Sequence, residues 1–261
     1  MTNRSAGSSG MTPAEIHSIP TYARLLATAS LAAVISACTP QAAPSPSPEP
    51  DPFAALESDA KIMSHRWTAP HGTDLDSPEI QVARGYIESE NNYDRTADPN
   101  TLYPGYTDVA HVQKSPPTPR TGTITHHILQ VETTTHLGKP ANEIHVCSTY
   151  MQTGMPTDTG WTRLESLSYV SLRIQSSGTV AVTAPPIDND RRLSFPAWNV
   201  FDGWEVERFT DKRMGENDPW RVCMSRMPGF DYDAPLKELL PAAPVVEPFH
   251  PGWPAVVDAS E

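Results

Sequence analysis

Large aliphatic side chains are scarce in this chain. Leu, Ile, Val and Phe together number 48 of 261 residues, and the formal net charge is −12. Low apolar content with high charge is the composition of chains that stay partly unfolded, so one core cannot run the whole length. Basic residues are also few: 19 Lys and Arg stand against 31 Asp and Glu. A Lys/Arg face dense enough to neutralise phosphates is excluded, and with it nucleic acid as a partner and electrostatic docking on anionic lipid. No apolar run reaches the ~20 residues that a spanning helix needs. A Gly-x-Ser-x-Gly elbow, a His-Glu-x-x-His pair and a glycine-rich phosphate loop are all missing. The three cysteines lack metal-finger spacing. The sequence therefore offers no motif for a cofactor, and it reads as a binding protein more readily than as an enzyme.

Proline is what the chain has in excess, with 28 residues. Before the first proline-rich stretch, Arg24 is followed by an uncharged apolar run from Leu25 to Ser36. That length suits the apolar region of an export signal. The run ends in Ile35-Ser36-Ala37-Cys38, which resembles the lipobox of bacterial lipoproteins: an aliphatic residue, two small ones, and the cysteine whose thiol is alkylated. Residues 39–52 carry six prolines and read as a stiff, solvated tether. The expected organisation is a signal peptide over 1–37, with Met1 or Met11 as its start, and a tether over 38–52. The mature chain would be held by lipid on Cys38 at the extracytoplasmic face of the cell membrane. An ordinary secretory signal and a short anchor helix are the alternatives. Cleavage would remove Arg4, Arg24 and Glu15, leaving the mature chain more acidic still, so the anchor has to be the lipid. One acyl chain holds only marginally, and stable anchoring takes more than one.

With Cys38 lipidated, Cys147 and Cys223 remain as a pair, and outside the cytoplasm a disulfide between them is expected. It requires the two strands that carry them to be neighbours. Phe53, Leu56, Ala60, Met63 and Trp67 recur at helical spacing, which predicts a helix over 52–67. Ser77 and Pro78 predict the start of a second helix running to about Asp94, with Ile80, Ala83, Tyr86, Ile87 and Tyr93 on its inner face. A short third helix is expected from Asp98-Pro99. The period then changes to two. Strands are predicted over 122–136 and 143–152 around a turn at 137–142. Further strands are predicted at 161–175, 179–184, 198–210 and 219–227, with a loop at 153–160 and a turn at 185–190. Helices first and antiparallel strands after them make an α+β domain over 53–228. The proline-rich segment 229–261 is expected to be mostly disordered.

Several of these residues resemble a family. Ala83 and Tyr86 on the helix, Ile144-His145-Val146-Cys147 on a middle strand and Trp220-Arg221-Val222-Cys223 on a late strand are similar to exported lipoproteins of actinobacteria and their phages. Those carry a nuclear-transport-factor-2-like, or cystatin-like, cone. The resemblance covers roughly 53–227. It implies N-terminal helices packed on a curved antiparallel sheet, and a place in the cell envelope. Its phage members suggest a role such as blocking superinfection. It implies no single activity, because the fold hosts enzymes, carriers and interaction modules alike.

The candidate chemistry is sparse. His136 and His145 flank the hairpin turn, with Glu132 and Glu143 as the only nearby carboxylates. That is a thin ligand set, and no metal site is assigned. Tyr86, Tyr93, Asp94, His127 and Tyr150 are candidates for a pocket between helix and sheet. Trp161, Trp198, Trp204 and Trp220 are expected to supply the core that the aliphatics do not. Two functions follow. One is a non-catalytic envelope module that binds a protein or ligand, which a filled apolar interior would favour. The other is a small-molecule carrier or enzyme, which an open pocket with convergent polar groups would favour.

Overall fold

The chain divides into two units, residues 1–48 and 49–261. Within the second, the computed structural model describes residues 51, 53–164, 166–178, 185, 187–209, 219–227 and 237–257. The signal peptide, Cys38, nearly all of the tether and the strand expected at 179–184 lie outside the described residues.

The helix expected over 52–67 is half helix and half strand. α1 is only Ala54–Ala60, and β1, Met63–Thr68, follows it. Met63 and Trp67 are four residues apart, a spacing that fits one face of a helix and, being even, one face of a strand too. His65 between them is also buried, on the same face of the strand as Met63 and Trp67. Ser77 and Pro78 do open α2, Pro78–Thr96, although the Ser77 side chain makes no capping bond. Proline at the first turn has no N–H to lose there. Gly85 sits mid-helix because Val200 and Phe201 press against it: a Cβ there would lie 2.9 Å from Val200 Cγ2. In place of one short third helix come a 3-10 turn, Pro99–Thr101, and α3, Tyr106–Val109.

β2, Thr121–His136, and β3, Lys139–Thr157, form the central hairpin. Their turn has two residues, not the six expected. Leu137 at φ 50° and Gly138 at φ 79° both hold the positive φ of a type I′ turn, and His136 pairs with Lys139. Pro140 enters the ladder opposite Thr135. β5 joins β3 only from Ala141 onward, so Pro140 is at an edge, where a missing N–H is tolerated. β3 also runs through the loop expected at 153–160. A second tight turn returns as β4, Gly160–Leu164. The strand expected at 161–175 is therefore two: β4 pairs the end of β3, and β5, Leu167–Ser176, pairs its beginning. β6 is Ile187–Leu193, where a turn was expected. β7, Trp204–Phe209, extends the sheet beyond β5, and β8, Lys237–Leu240, extends it beyond β4. The result is a seven-stranded sheet, antiparallel except where β1 runs parallel to β2. The architecture is α+β.

Two further expectations are overturned. Residues 219–227 are not a strand: α4, Pro219–Arg226, is a helix. Cys223 and Met227, both buried, are again four apart and fit either period, while Pro219 suits a helix start and not a ladder. Trp220-x-Val is thus helical, and the Trp-x-Val that lies on a strand is Trp204-Glu205-Val206 in β7. The C-terminal segment is not mostly disordered either. Over 237–257 it supplies β8 and then β9, Trp253–Val256, which pairs with β6 as a separate two-stranded sheet. The prolines between β8 and β9 prevent regular structure but not packing. The extended backbone runs beside β1, where Trp67 N–H donates to His250 O at 2.7 Å and His250 N–H to His65 O at 3.2 Å.

The main core lies between α2 and one face of the sheet. It includes Ile80, Ala83, Ile87, Ile128, Ile144, Val146, Leu172 and Ile174. The completely buried indoles are Trp67 and Trp253; Trp198 and Trp204 only pack against this core from its rim. On the opposite face a small cluster of Leu129, Leu167, Val222 and Met227 surrounds a disulfide between Cys147 and Cys223. Their Cα atoms are 5.6 Å apart. The bond joins a strand to a helix, not two strands, and it pins α4 to β3.

Candidate functional site

Beyond the apolar core, the end of α2 and the sheet diverge. Side chains alternate across a strand, so Ser148 and Tyr150 on β3 face the same side as Ile144 and Val146. Ser168 stands opposite Ser148, and Val170 opposite Val146. Arg208 of β7 stands opposite Leu172. Facing them, α2 presents Tyr86, Ile87, Glu90, Asn91, Tyr93 and Asp94, and the segment after it adds Leu102, Tyr106, His111, Val112 and Gln113. These groups line an open cavity of about 380 Å³. Most of the lining is polar, unlike the core beside it.

The polar groups are ordered by one another. Arg208 Nη1 donates to both Glu90 carboxylate oxygens, at 2.8 and 3.0 Å. Tyr150 O–H donates to Asn91 Oδ1 at 2.8 Å, and the Arg120 guanidinium covers the Tyr150 ring at 4.8 Å. The Tyr86 and Tyr106 rings are tilted at 53° to each other, with centroids 5.3 Å apart. Burial pushes the Glu90 carboxyl above its ordinary value, with Asp94 adding to the rise and Arg208 opposing it. Burial likewise raises Asp94, against Arg120 and Arg208, and holds the Tyr86 and Tyr150 phenols up and neutral. The cavity thus combines neutral phenol, amide and hydroxyl groups with the closed Glu90–Arg208 pair and the Asp94 carboxyl.

Of the residues proposed from the sequence, Tyr86, Tyr93, Asp94 and Tyr150 come together here. His127 does not. It points to the other face of the sheet, where its Nδ1 meets the Thr68 hydroxyl at 2.7 Å. One residue along a strand reverses the face, and the inward histidine is His126. His126 is completely buried behind Ser148, with Nδ1 at 2.7 Å from Ser148 Oγ and Nε2 at 2.9 Å from His65 Nδ1. His65 reaches Asn92 of α2 at 3.1 Å. Burial lowers the basicity of His65, though Glu88 opposes this. Burial lowers that of His126 much further, assisted by His65 and Arg84.

These two histidines set a pH dependence. The unfolded chain takes up protons on both imidazoles near the ordinary histidine value, and the folded chain does so only at lower pH. The associated stability is present above about pH 6.5 and is lost as pH falls through the folded values, at up to about 1.4 kcal/mol per pH unit for each histidine. Urea unfolding at pH 7.5 and 5.5 is expected to show a loss of up to about 3 kcal/mol, less whatever the raised Glu90 and Asp94 carboxyls return in the opposite sense. A stability that rose on acidification would contradict burial of two neutral imidazoles.

The hairpin histidines separate. His136 Nε2 lies 3.7 Å from a Glu207 carboxylate oxygen. His145 Nδ1 meets the Tyr169 and Ser171 hydroxyls at 2.8 and 3.0 Å. Ligand atoms of Glu132, Glu143 and His145 do fall within 4.8 Å of one another on the outer face. Arg173 lies over this group and pairs with Glu143 at 2.9 Å, so a protein cation already answers the carboxylates.

Sequence reasoning missed Glu90, Tyr106, Ser148 and Arg208. It also missed Glu88, which is buried between α2 and the tail. The signal for Glu88 was present: an acidic residue on the apolar stripe, four positions after Arg84, is placed for an i,i+4 pair. Arg208 and Ser148 carried no signal, since only strand register brings them to the cavity. Among the described residues, no helix is long and apolar enough to cross a membrane. No protein-family model, curated protein or solved structure matches the chain.

Proposed function

We propose that this protein binds a small, neutral, hydroxyl-rich molecule of saccharide type, and does so outside the cytoplasm while tethered by lipid on Cys38. The observation that carries the reading is the lining of the cavity. Tyrosine rings offer flat apolar faces, and phenol, amide, serine and carboxylate groups converge around them. That is the mixture a sugar needs, since its ring faces are apolar and its edge is a belt of hydroxyls. The volume of about 380 Å³ falls within the ~300–1,000 Å³ of small-molecule sites. Arg208 is paired with Glu90, and the Asp94 carboxyl lies under the influence of Arg120 and Arg208, so carboxyl and guanidinium groups of the protein answer one another around the cavity.

The finer fold assignment belongs to the same reading. One long helix lying over a largely antiparallel sheet, with a cavity where they diverge, is consistent with a cystatin-like cone. Residues 35–38 support the lipid tether. The polar cavity favours the small-molecule function over a module that only docks a protein in the envelope.

Calorimetric titration of the full chain with glucose, N-acetylglucosamine, maltose and myo-inositol tests the reading. At least one is expected to bind, and Tyr150→Phe is expected to weaken that binding by about five- to tenfold through loss of one hydrogen-bonding hydroxyl. Absence of heat with all four would overturn the saccharide assignment. Mass spectrometry of the membrane-extracted protein tests the tether: Cys38 found unmodified would remove it.

A further inference from the structure

Ser148 is the point where the cavity meets a buried chain of hydrogen bonds, and that chain has a direction. It runs from Asn92 through His65 and His126 to Ser148, and all four residues are at most 3% exposed. The end of the Asn92 amide that faces His65 Nε2 at 3.1 Å also faces the Glu88 carbonyl at 3.3 Å and Asp59 Oδ2 at 3.2 Å. Both of these are acceptors, against the single Thr101 carbonyl 3.3 Å from the other end of the amide, so the end facing His65 is the NH2 group and it donates to His65 Nε2.

The remaining steps follow from imidazole chemistry. A neutral imidazole has one N–H and one acceptor nitrogen. With Nε2 accepting, His65 carries its proton on Nδ1 and donates to His126 Nε2. His126 then carries its own proton on Nδ1 and donates to Ser148 Oγ. The serine oxygen receives a hydrogen bond from behind, and its O–H is left to point forward into the cavity whose wall it forms. The opposite direction would make His126 a base for Ser148 and suggest a nucleophile. The Asn92 orientation excludes it.

We propose that Ser148 is a ligand-orienting donor, held in that role by the Asn92–His65–His126 relay, and that the bound molecule presents a hydroxyl, ether or carbonyl oxygen to it. The proposal rests on the cavity being the binding site. It assigns to His65 and His126 a positioning role, because neither touches the ligand.

Long-range proton–nitrogen NMR on the full chain with nitrogen-labelled histidine tests the relay without any ligand. Both His65 and His126 are expected in the Nδ1–H form with Nε2 unprotonated. Nε2–H on both would reverse the chain and overturn the proposal. The second measurement is titration of Ser148→Ala with glucose, N-acetylglucosamine, maltose and myo-inositol. A fall of about tenfold in the affinity of whichever the unaltered protein binds is expected, with Ser148→Thr, which keeps the hydroxyl, retaining more of it. Affinity unchanged in Ser148→Ala would overturn the donor role alone. Failure of all four to bind the unaltered protein would overturn the cavity reading, and the donor role with it.

Discussion

Replacing Glu88 by alanine is expected to remove about 3–5 kcal/mol of stability, the range for breaking a buried ion pair from one side. Glu88 is 1% exposed, and its two carboxylate oxygens join parts of the chain that are far apart in sequence. Oε1 accepts from Trp67 Nε1 at 2.7 Å. Oε2 accepts from Tyr103 O–H at 2.6 Å and from Trp253 Nε1 at 2.9 Å. Arg84, one turn earlier on α2, lies 3.8 Å away and stacks over the Trp253 ring at 4.4 Å. Alanine would leave the buried Arg84 guanidinium with Asp76 alone, at 3.4 Å, and three buried donors without an acceptor, each a further penalty of about 1–3 kcal/mol if the site does not relax. Typical total stability is only about 5–15 kcal/mol, so much of the population would unfold. Glu88→Gln keeps an acceptor for one or two of the donors and is expected to lose roughly half as much. Urea unfolding followed by tryptophan fluorescence reads both variants, since Trp67 and Trp253 are the buried reporters. A loss under 1 kcal/mol in Glu88→Ala would mean that Arg84 and the tail are held by other means.

The second large effect is loss of the disulfide. Cys147 and Cys223 are separated by 76 positions. Closing a loop of that size restricts the unfolded chain by about 4 kcal/mol in the chain-entropy model. The outer face has little else to hold α4, because its apolar cluster is only a few residues. The double variant Cys147→Ser, Cys223→Ser is expected to unfold about 4 kcal/mol more easily, with α4 lost first as judged by hydrogen exchange at Val222 and Met224. Equal stability of oxidised and reduced protein would show that the packing of α4 suffices by itself.

The course of α2 was legible because two signals agree there: Ser77-Pro78 at its start and an apolar stripe through its middle. The central hairpin was legible from its Thr, Ile and Val content, although the length of its turn was not. Where the sequence reading failed, it failed at pairs of apolar residues four apart. Met63 with Trp67, and Cys223 with Met227, satisfy the helical and the strand period equally. Neighbouring chain settles each: β2 offers β1 a ladder, and among the described residues none offers one to residues 219–226. Proline misled in the tail, because proline forbids the regular hydrogen bonding of a ladder while leaving side chains free to bury, as Trp253 does.

The site divides along the same line. Tyr86, Tyr93 and Asp94 could be placed together because a single helix sets their spacing. Tyr150 joined them through the inward parity of β3. His127 was misplaced by one residue, since parity on β2 depends on its partners and on register shifts near Thr123 and Ile128. Composition and local period alone determined the α+β class, the long helix, the central hairpin and the pairing available to two cysteines, because these rest on contacts between near neighbours or on simple elimination. Which histidine faces inward, where Arg208 meets Glu90, and that the tail seals α2 through Trp253 and Glu88 were decided only by tertiary structure. Those contacts join residues up to 165 positions apart, and their energies depend on burial that no local pattern carries.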